Sequence, residues 1–371
     1  MLFSKHKKYI PIDQVSKRIE ASKVRRLNIL VDAIANKLPD DKYPLRLHST
    51  RELEYVNNNP ESIFNLARKC DWYITKKGIL KIVDTNEPKV IFLDTFTYKN
   101  LVNFTINILP YLKHKFILVI AGNDYMTPSG QFETNIKYYN IHEWQSIKMN
   151  LIDHPNIIRI FVENLDMIHP KLEPIPLGMC FAKFDPYYHD ILNGVIDIDY
   201  EKKDIEVLCQ HNIHWKETVN PKSWFFGYAN DRIKFNELAK KEPLNKLVTL
   251  IQHDIKDTMW GRKVEDFKTN VLRSSFLICI HGGGIDPCPK VWEAILLGCI
   301  PIICKSTVSD AFKCLPVVIV DEMDEKTITL ENLDKWYDQY IPYYKDKEKR
   351  KEVLYKLSQK YWIDYIRSFV P

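Results

Sequence analysis

The densest group of reactive side chains lies in the run FLICI-HGGGIDPCPK-VWEAILLG-CIPIIC, residues 276–304. It holds His281, the adjacent glycines Gly282, Gly283 and Gly284, then Asp286, Lys290 and Glu293. Glycines carry no Cβ, so a main chain made of them can turn sharply and approach a ligand closely. Lys290 adds a positive charge. Glu293, almost one helical turn later, can accept hydrogen bonds from paired hydroxyls such as those of a ribose. A hydrogen bond to a charged group contributes about 1.5–3 kcal/mol. A loop of this kind, opening into a helix, suits a diphosphate. Singly the residues say less: three glycines also make an ordinary turn, Asp286 can cap a helix, and His281 can be structural or can touch phosphate or sugar.

The surrounding pattern predicts the elements that position this group. The apolar run 276–280 suits a strand buried on both faces. Pro289 fits the first turn of a helix, where a missing N–H costs nothing, and Gly298 fits the left-handed position that ends one. Residues 299–304 then form the next strand. Strand, loop, helix, strand places the loop at the C-terminal edge of a sheet, where open α/β sheets bind ligands. The fingerprint Gly-x-Gly-x-x-Gly is absent, because Gly284 is followed by Ile-Asp-Pro. The phosphate loop of NTPases is absent too. A nicotinamide enzyme and an NTPase are both disfavoured.

Transfer of a group to a hydroxyl needs a base. Asp124 is the first candidate, since Ala121-Gly-Asn-Asp follows the apolar run 116–120. Asp94 and the pair His142 and Glu143 rank below it. Leaving-group charge can be met by Lys290, Arg232 or Arg262, with no order between the arginines. His211 and His214 lack a third ligand at a recognisable spacing, so no metal is expected there. Asp197-Ile-Asp199 resembles a metal-binding Asp-x-Asp but follows no convincing strand. Cys288 has no histidine partner in the sequence, which favours packing over nucleophilic chemistry.

The whole chain has 371 residues, enough for two domains. Hydrophobic residues make up 45% and charged residues 27%, a globular balance. A net charge of only +5 does not favour nucleic acid as a partner. No stretch approaches the ~20 apolar residues of a membrane span. The N-terminus turns polar too soon for a signal peptide, and the eight cysteines include no Cys-x-x-Cys pair. A reducing, cytoplasmic setting is expected. Strands are predicted at 90–93, 116–121, 157–162, 206–209, 247–251, 276–280, 300–304 and 317–320. Helices are predicted at 11–38, 100–108 and 141–151, and again over the last forty residues. This alternation is that of open parallel α/β sheets. The expected division is an N-terminal domain over 1–190, a C-terminal domain over 204–335 and a helical segment over 336–371. The polar stretch 184–203 serves as linker.

Residues 264–303 resemble exostosin-like glycosyltransferases, a family with relatives in large DNA viruses, algae and bacteria. The resemblance is carried by Phe267, Ser275, Phe276, Gly282 to Gly284, Asp286, Lys290, Trp292, Glu293, Ala294, Gly298, Cys299, Ile300, Pro301 and Ile302. It continues through Lys305-Ser-Thr, Leu315-Pro-Val and the stretch 161–178, with Asn164-Leu-Asp and Ile175-Pro-Leu-Gly. It implies a GT-B fold: two Rossmann-like domains, the acceptor side first and the nucleotide-sugar side second, with a cleft between them and a C-terminal helical segment. It implies hexosyl or pentosyl transfer from a nucleotide sugar, UDP-linked, to a hydroxyl of a glycan or glycoprotein. Inversion, no required cofactor and no metal go with it; for a viral chain the compartment is the host cytoplasm. The other reading is a non-catalytic carbohydrate- or nucleotide-binding protein on the same fold. One departure concerns the donor: relatives often carry His-Arg before Trp-Glu-Ala, where this chain has Pro289-Lys290 and an extra residue after Asp286. A lysine offers a point charge where arginine offers a fork.

Overall fold

The structure, a computed structural model, describes residues 66–74, 78, 80–82, 87–95, 98–122, 149–179, 190–192, 198–211, 226–252, 264–282 and 284–371. The helix expected over 11–38 lies outside these residues. So do Asp124, His142, Glu143, Asp197, His214, Arg262 and Gly283.

The first sheet is built from β1 (Trp72–Ile74), β2 (Leu80–Ile82), β3 (Val90–Asp94), β4 (Phe116–Ala121), β5 (Ile157–Val162) and β6 (Leu172–Pro174). Its order is β2-β1-β3-β4-β5-β6. Only the β1–β2 pair is antiparallel; the other pairs run parallel. Every residue of β3 and β4 is buried, as unbroken apolar runs in a two-sided sheet must be. Helix α1 (Tyr98–Asn107) joins β3 to β4.

The second sheet follows as β7 (Ile205–Gln210), α2 (Phe226–Ala239), β8 (Val248–Ile251), α3 (Val264–Leu272), β9 (Ser274–Ile278), α4 (Lys290–Leu296), β10 (Ile300–Cys304) and β11 (Val318–Val320). The order is β11-β10-β9-β7-β8, parallel throughout. From β7 the chain steps outward to β8, then crosses back over β7 to β9 and continues the other way. The order reverses between β7 and β9, and that reversal opens a crevice at the strands' C-terminal ends. Two mainly parallel α/β sheets thus follow one another along the chain, consistent with the two Rossmann-like domains that the sequence predicts.

Gly298 ends α4 with φ 72°, as expected for a left-handed helix stop. A Cβ there would lie 2.9 Å from Ile198 Cγ2 and 3.1 Å from Tyr200 Cε1. The end of the predicted linker thus packs on the second sheet's unit, and Lys203 Nζ donates to the Ser274 carbonyl at 2.6 Å.

Four helices close the chain: α5 (Leu330–Tyr340), α6 (Pro342–Lys345), α7 (Lys347–Lys356) and α8 (Gln359–Arg367). Thr329, Asp346 and Ser358 cap α5, α7 and α8 with their side-chain oxygens. Trp292 of α4 donates to the Leu357 carbonyl at 3.0 Å. Arg350 donates to the carbonyls of Ile295 and Leu296 at 2.8 and 2.7 Å, satisfying the end of α4. The last helix then reaches the first sheet. Tyr365 donates to Glu173, Arg367 pairs with Asp71 at 2.8 Å, and Phe161 packs edge-on against Tyr365 and Phe369. No helix among the described residues is long and apolar enough to cross a membrane.

Candidate functional site

The loop after β9 stands at the reversal of strand order. Its shape is held from below by Arg232 of α2. Arg232 Nε donates to the His281 carbonyl at 2.6 Å, and Nη2 donates to the Ile280 carbonyl at 3.3 Å and to Cys288 Sγ at 3.0 Å. A Cβ on Gly282 would sit 3.0 Å from Cys288 Sγ and 3.1 Å from Arg232 Nη2. A larger residue at this position would have to push both side chains aside by a few tenths of an ångström. Cys288 has φ 79°, a left-handed conformation in which a non-glycine residue is uncommon. Asp286 holds the turn by accepting from Cys288 N at 2.7 Å. Its cap therefore serves the turn ahead of α4 rather than the helix amides.

Lys290, the first residue of α4, points inward. Its Nζ donates to the Ile278 carbonyl at 3.4 Å, and the residue is buried. Burial, then the Arg232 guanidinium, pushes the ammonium below its ordinary value, while the Cys279, Cys288 and Cys209 sulfurs pull the other way. Two cations, Arg232 and Lys290, thus lie close enough to repel each other beneath one loop. Because α4 has seven residues, the positive charge of the site comes mainly from these side chains rather than from the helix.

His281 is also buried, and burial lowers its pKa first; Asp231 opposes this and Arg232 adds to it. Gly284 is buried in the turn. Glu293 is fully enclosed, near enough to the Cys279 thiol to help raise it. In this structure that carboxylate is shut off from solvent. Cys288 serves as a packing and hydrogen-bonding group at the base of the loop, the role preferred from the sequence. Among the described residues no three His, Cys, Asp or Glu side chains gather as a metal site. Asp199 caps the turn Tyr200–Lys202 by accepting from Glu201 N.

Contacts missed from sequence join the loop to the first sheet. Asp286 N donates to Asn164 Oδ1 at 3.0 Å, and Leu177 N donates to Asp286 Oδ2 at 3.3 Å. Thr307, after β10, donates to the Leu165 carbonyl. The C-terminal ends of β5 and β9 therefore meet at Asp286. Next to Asn164, Glu163 Oε2 accepts from Gly122 N at 2.8 Å. Gly122 has φ 101°, and a Cβ on it would lie 2.8 Å from Asp94 Cγ. Asp94, Gly122 and Glu163 thus share the C-terminal edge of β3, β4 and β5. The available signal was a polar pair, Glu163-Asn164, directly after a buried apolar strand.

No protein-family model matches the chain, and no curated protein matches it in sequence. Among solved structures it is similar to an α1,3-fucosyltransferase, 13% identical over 90% of this chain and 92% of the other, with a TM-score of 0.33. It is similar also to Anabaena HepE in complex with UDP, 9% identical over 76% and 75%, at 0.34. The pneumococcal O-GlcNAc transferase GtfA, in complex with UDP and GlcNAc, is 10% identical over 76% and 54%, at 0.28. Likenesses this loose carry no argument; the fold rests on the strand order and the site on its side chains.

Proposed function

We propose that the chain is a glycosyltransferase that takes a sugar from a nucleotide-sugar donor to a hydroxyl of a glycan or glycoprotein. The observation that carries this reading is the pair Arg232 and Lys290, both buried beneath a glycine loop at the switch point of a Rossmann-like sheet. Two positive side chains turned toward one loop at a sheet's switch point favour an anion there, and a diphosphate is the anion that such loops commonly hold. In this reading the donor is UDP-linked and lies against His281, Gly282, Gly283 and Gly284. Asp286 shapes the turn, and Glu293 is the carboxylate proposed for the ribose. The exostosin-like resemblance supports the same assignment.

As the sugar–oxygen bond breaks, charge builds on the departing diphosphate. Preorganised cations lower the barrier by meeting that charge, and losing one such donor typically costs about 100- to 1000-fold in rate. Lys290, Arg232 and Arg262 are the groups proposed for this role. The acceptor hydroxyl loses its proton to Asp124, two residues beyond Gly122. Asp94 is fully enclosed beneath Gly122, which makes it a poorer base for an incoming acceptor. Inversion at the anomeric carbon goes with this single displacement.

The test is release of nucleoside diphosphate from a panel of nucleotide sugars, with and without glycan acceptors, in excess EDTA. Turnover that persists under chelation is expected. Complete loss restored by manganese or magnesium would contradict the metal-free part and redirect attention to Asp197 and Asp199. Saturable binding with no turnover on any acceptor would favour the non-catalytic carbohydrate- or nucleotide-binding reading.

A further inference from the structure

His211 directly follows β7, so it lies on the opposite wall of the crevice from the loop after β9. It is buried at 5% exposure, and its Nε2 makes no hydrogen bond among the described residues. Asn236, one helical turn after Arg232 on α2 and 1% exposed, leaves its Nδ2 in the same condition. The two side chains share a neighbour. Cys209 Sγ lies 3.7 Å from His211 Nδ1 and donates to Asn236 Oδ1 at 3.7 Å. Burial pushes the Cys209 thiol up to about 12, so it stays neutral. Buried polar atoms without partners are rare, and each one asks for an explanation. Two of them beside a pair of cations suggest a hydrogen-bond acceptor that comes and goes.

We propose that His211 is a proton-carrying ligand of this anion site: its imidazole gains a proton from solvent when a diphosphate binds, and Nε2 then donates to a phosphate oxygen. The proton returns to solvent when the diphosphate leaves. The proposal deepens the nucleotide-sugar reading and rests on it.

The charges around the ring set the direction. Burial comes first, then Lys290 on α4 and Arg232 on α2; together they hold the imidazole well below its ordinary value in the empty site. Close approaches of the Arg232 main chain and the Asn236 side chain pull the other way by favouring the protonated ring, though neither gives Nε2 a partner at hydrogen-bond geometry. The ring is therefore neutral near pH 7, and a third positive charge is avoided. A bound diphosphate reverses the local sign. An opposite charge within about 4–6 Å raises such a value by roughly 1–3 pH units. Between the empty-site and bound-site values, binding is accompanied by uptake of up to one proton. The sign follows: a group protonated more readily in the complex favours binding at low pH. Affinity is level below the empty-site value, and weakens by up to tenfold per pH unit as pH rises through the window.

The experiment is titration calorimetry of the full chain with UDP-glucose, UDP-N-acetylglucosamine, GDP-mannose and GDP-fucose. Their diphosphate diesters do not themselves titrate near neutrality. Each is measured from pH 4.5 to 7.5 in two buffers of different ionisation enthalpy. Wild type should take up protons on binding, H211Q and H211N should take up almost none, and H281Q should keep the wild-type count. In wild type labelled with nitrogen-15 at histidine, one ring should change from the neutral to the imidazolium pattern on ligand addition. That ring should persist in H281Q, so the test survives if the His211 variants fail to fold. Binding without proton uptake overturns this proposal and leaves the nucleotide-sugar reading intact. Uptake unchanged in H211Q, or lost in H281Q alone, also overturns it. Binding of none of the four diesters counts against both.

Discussion

Arg232 combines two tasks that a lysine cannot combine. Its planar fork reaches two successive carbonyls, Ile280 and His281, and the Cys288 sulfur from one side chain. A lysine at that position keeps the charge but cannot span all three. Arg232→Lys should therefore leave the chain folded and weaken nucleotide-sugar binding by roughly 10- to 100-fold, the loss of one charge-assisted contact and of loop order. Calorimetry on wild type and variant reads this directly, and equal affinity would remove Arg232 from the site. The residue was legible in sequence only as one of two arginines with no order between them. Its assignment depends on α2 crossing under a loop some fifty residues later, which no local pattern encodes. Lys290 and Glu293 were legible as neighbours on a helix. Their enclosure was not, because an α4 buried on every side reads like an ordinary amphipathic turn.

The second sheet's strands were readable to within two residues, since buried parallel strands are nearly continuous apolar runs. The predicted run 276–280 proves to be a strand over Ser274–Ile278, shifted because Cys279 and Ile280 already belong to the turn. Three short strands were missed: β1, β2 and β6. Three residues are too few to show a period, and Pro174 and Gly78 punctuate the sequence there as a loop would. The closing helices were expected, but their destination was not. Tyr365, Phe369 and Arg367 of the α8 region hold the first sheet through Phe161, Glu173, Asp71 and the Arg159 guanidinium, which lies 4.3 Å above the Phe369 ring. Tyr365→Ala removes a half-buried ring and the bond to Glu173, at a cost of about 2–3 kcal/mol. Urea unfolding should show a lower midpoint and a separation of the two units' transitions. A single transition at the wild-type midpoint would show that the helix is only resting on the sheet.

Across the whole molecule, the two sheets meet where their strands end, at Asp286 and at Thr307. The Asp286 main chain is held by Asn164 and its carboxylate by the Leu177 amide. The loop after β9 is therefore tied to the end of β5. Glu163, next to Asn164, holds Gly122 at the start of the segment bearing Asp124. One dipeptide thus links the proposed donor loop to the proposed base. Asn164→Ala should lower stability by only about 1 kcal/mol, the value of one hydrogen bond. Turnover should fall further than that stability change explains, with kcat more affected than KM. A kcat loss no larger than the loss of folded protein would make the contact purely structural.

The central claim is that a nucleotide diphosphate sits at the crevice between β7 and β9. Amide hydrogen exchange of the full chain, with and without saturating nucleotide sugar, tests it most directly. The account predicts slowed exchange across residues 279–293 and around His211, with smaller changes near Asn164 through Asp286. Saturable binding that protects a different surface, and leaves the amides of Gly282 and Cys288 exchanging as in the free chain, would contradict it.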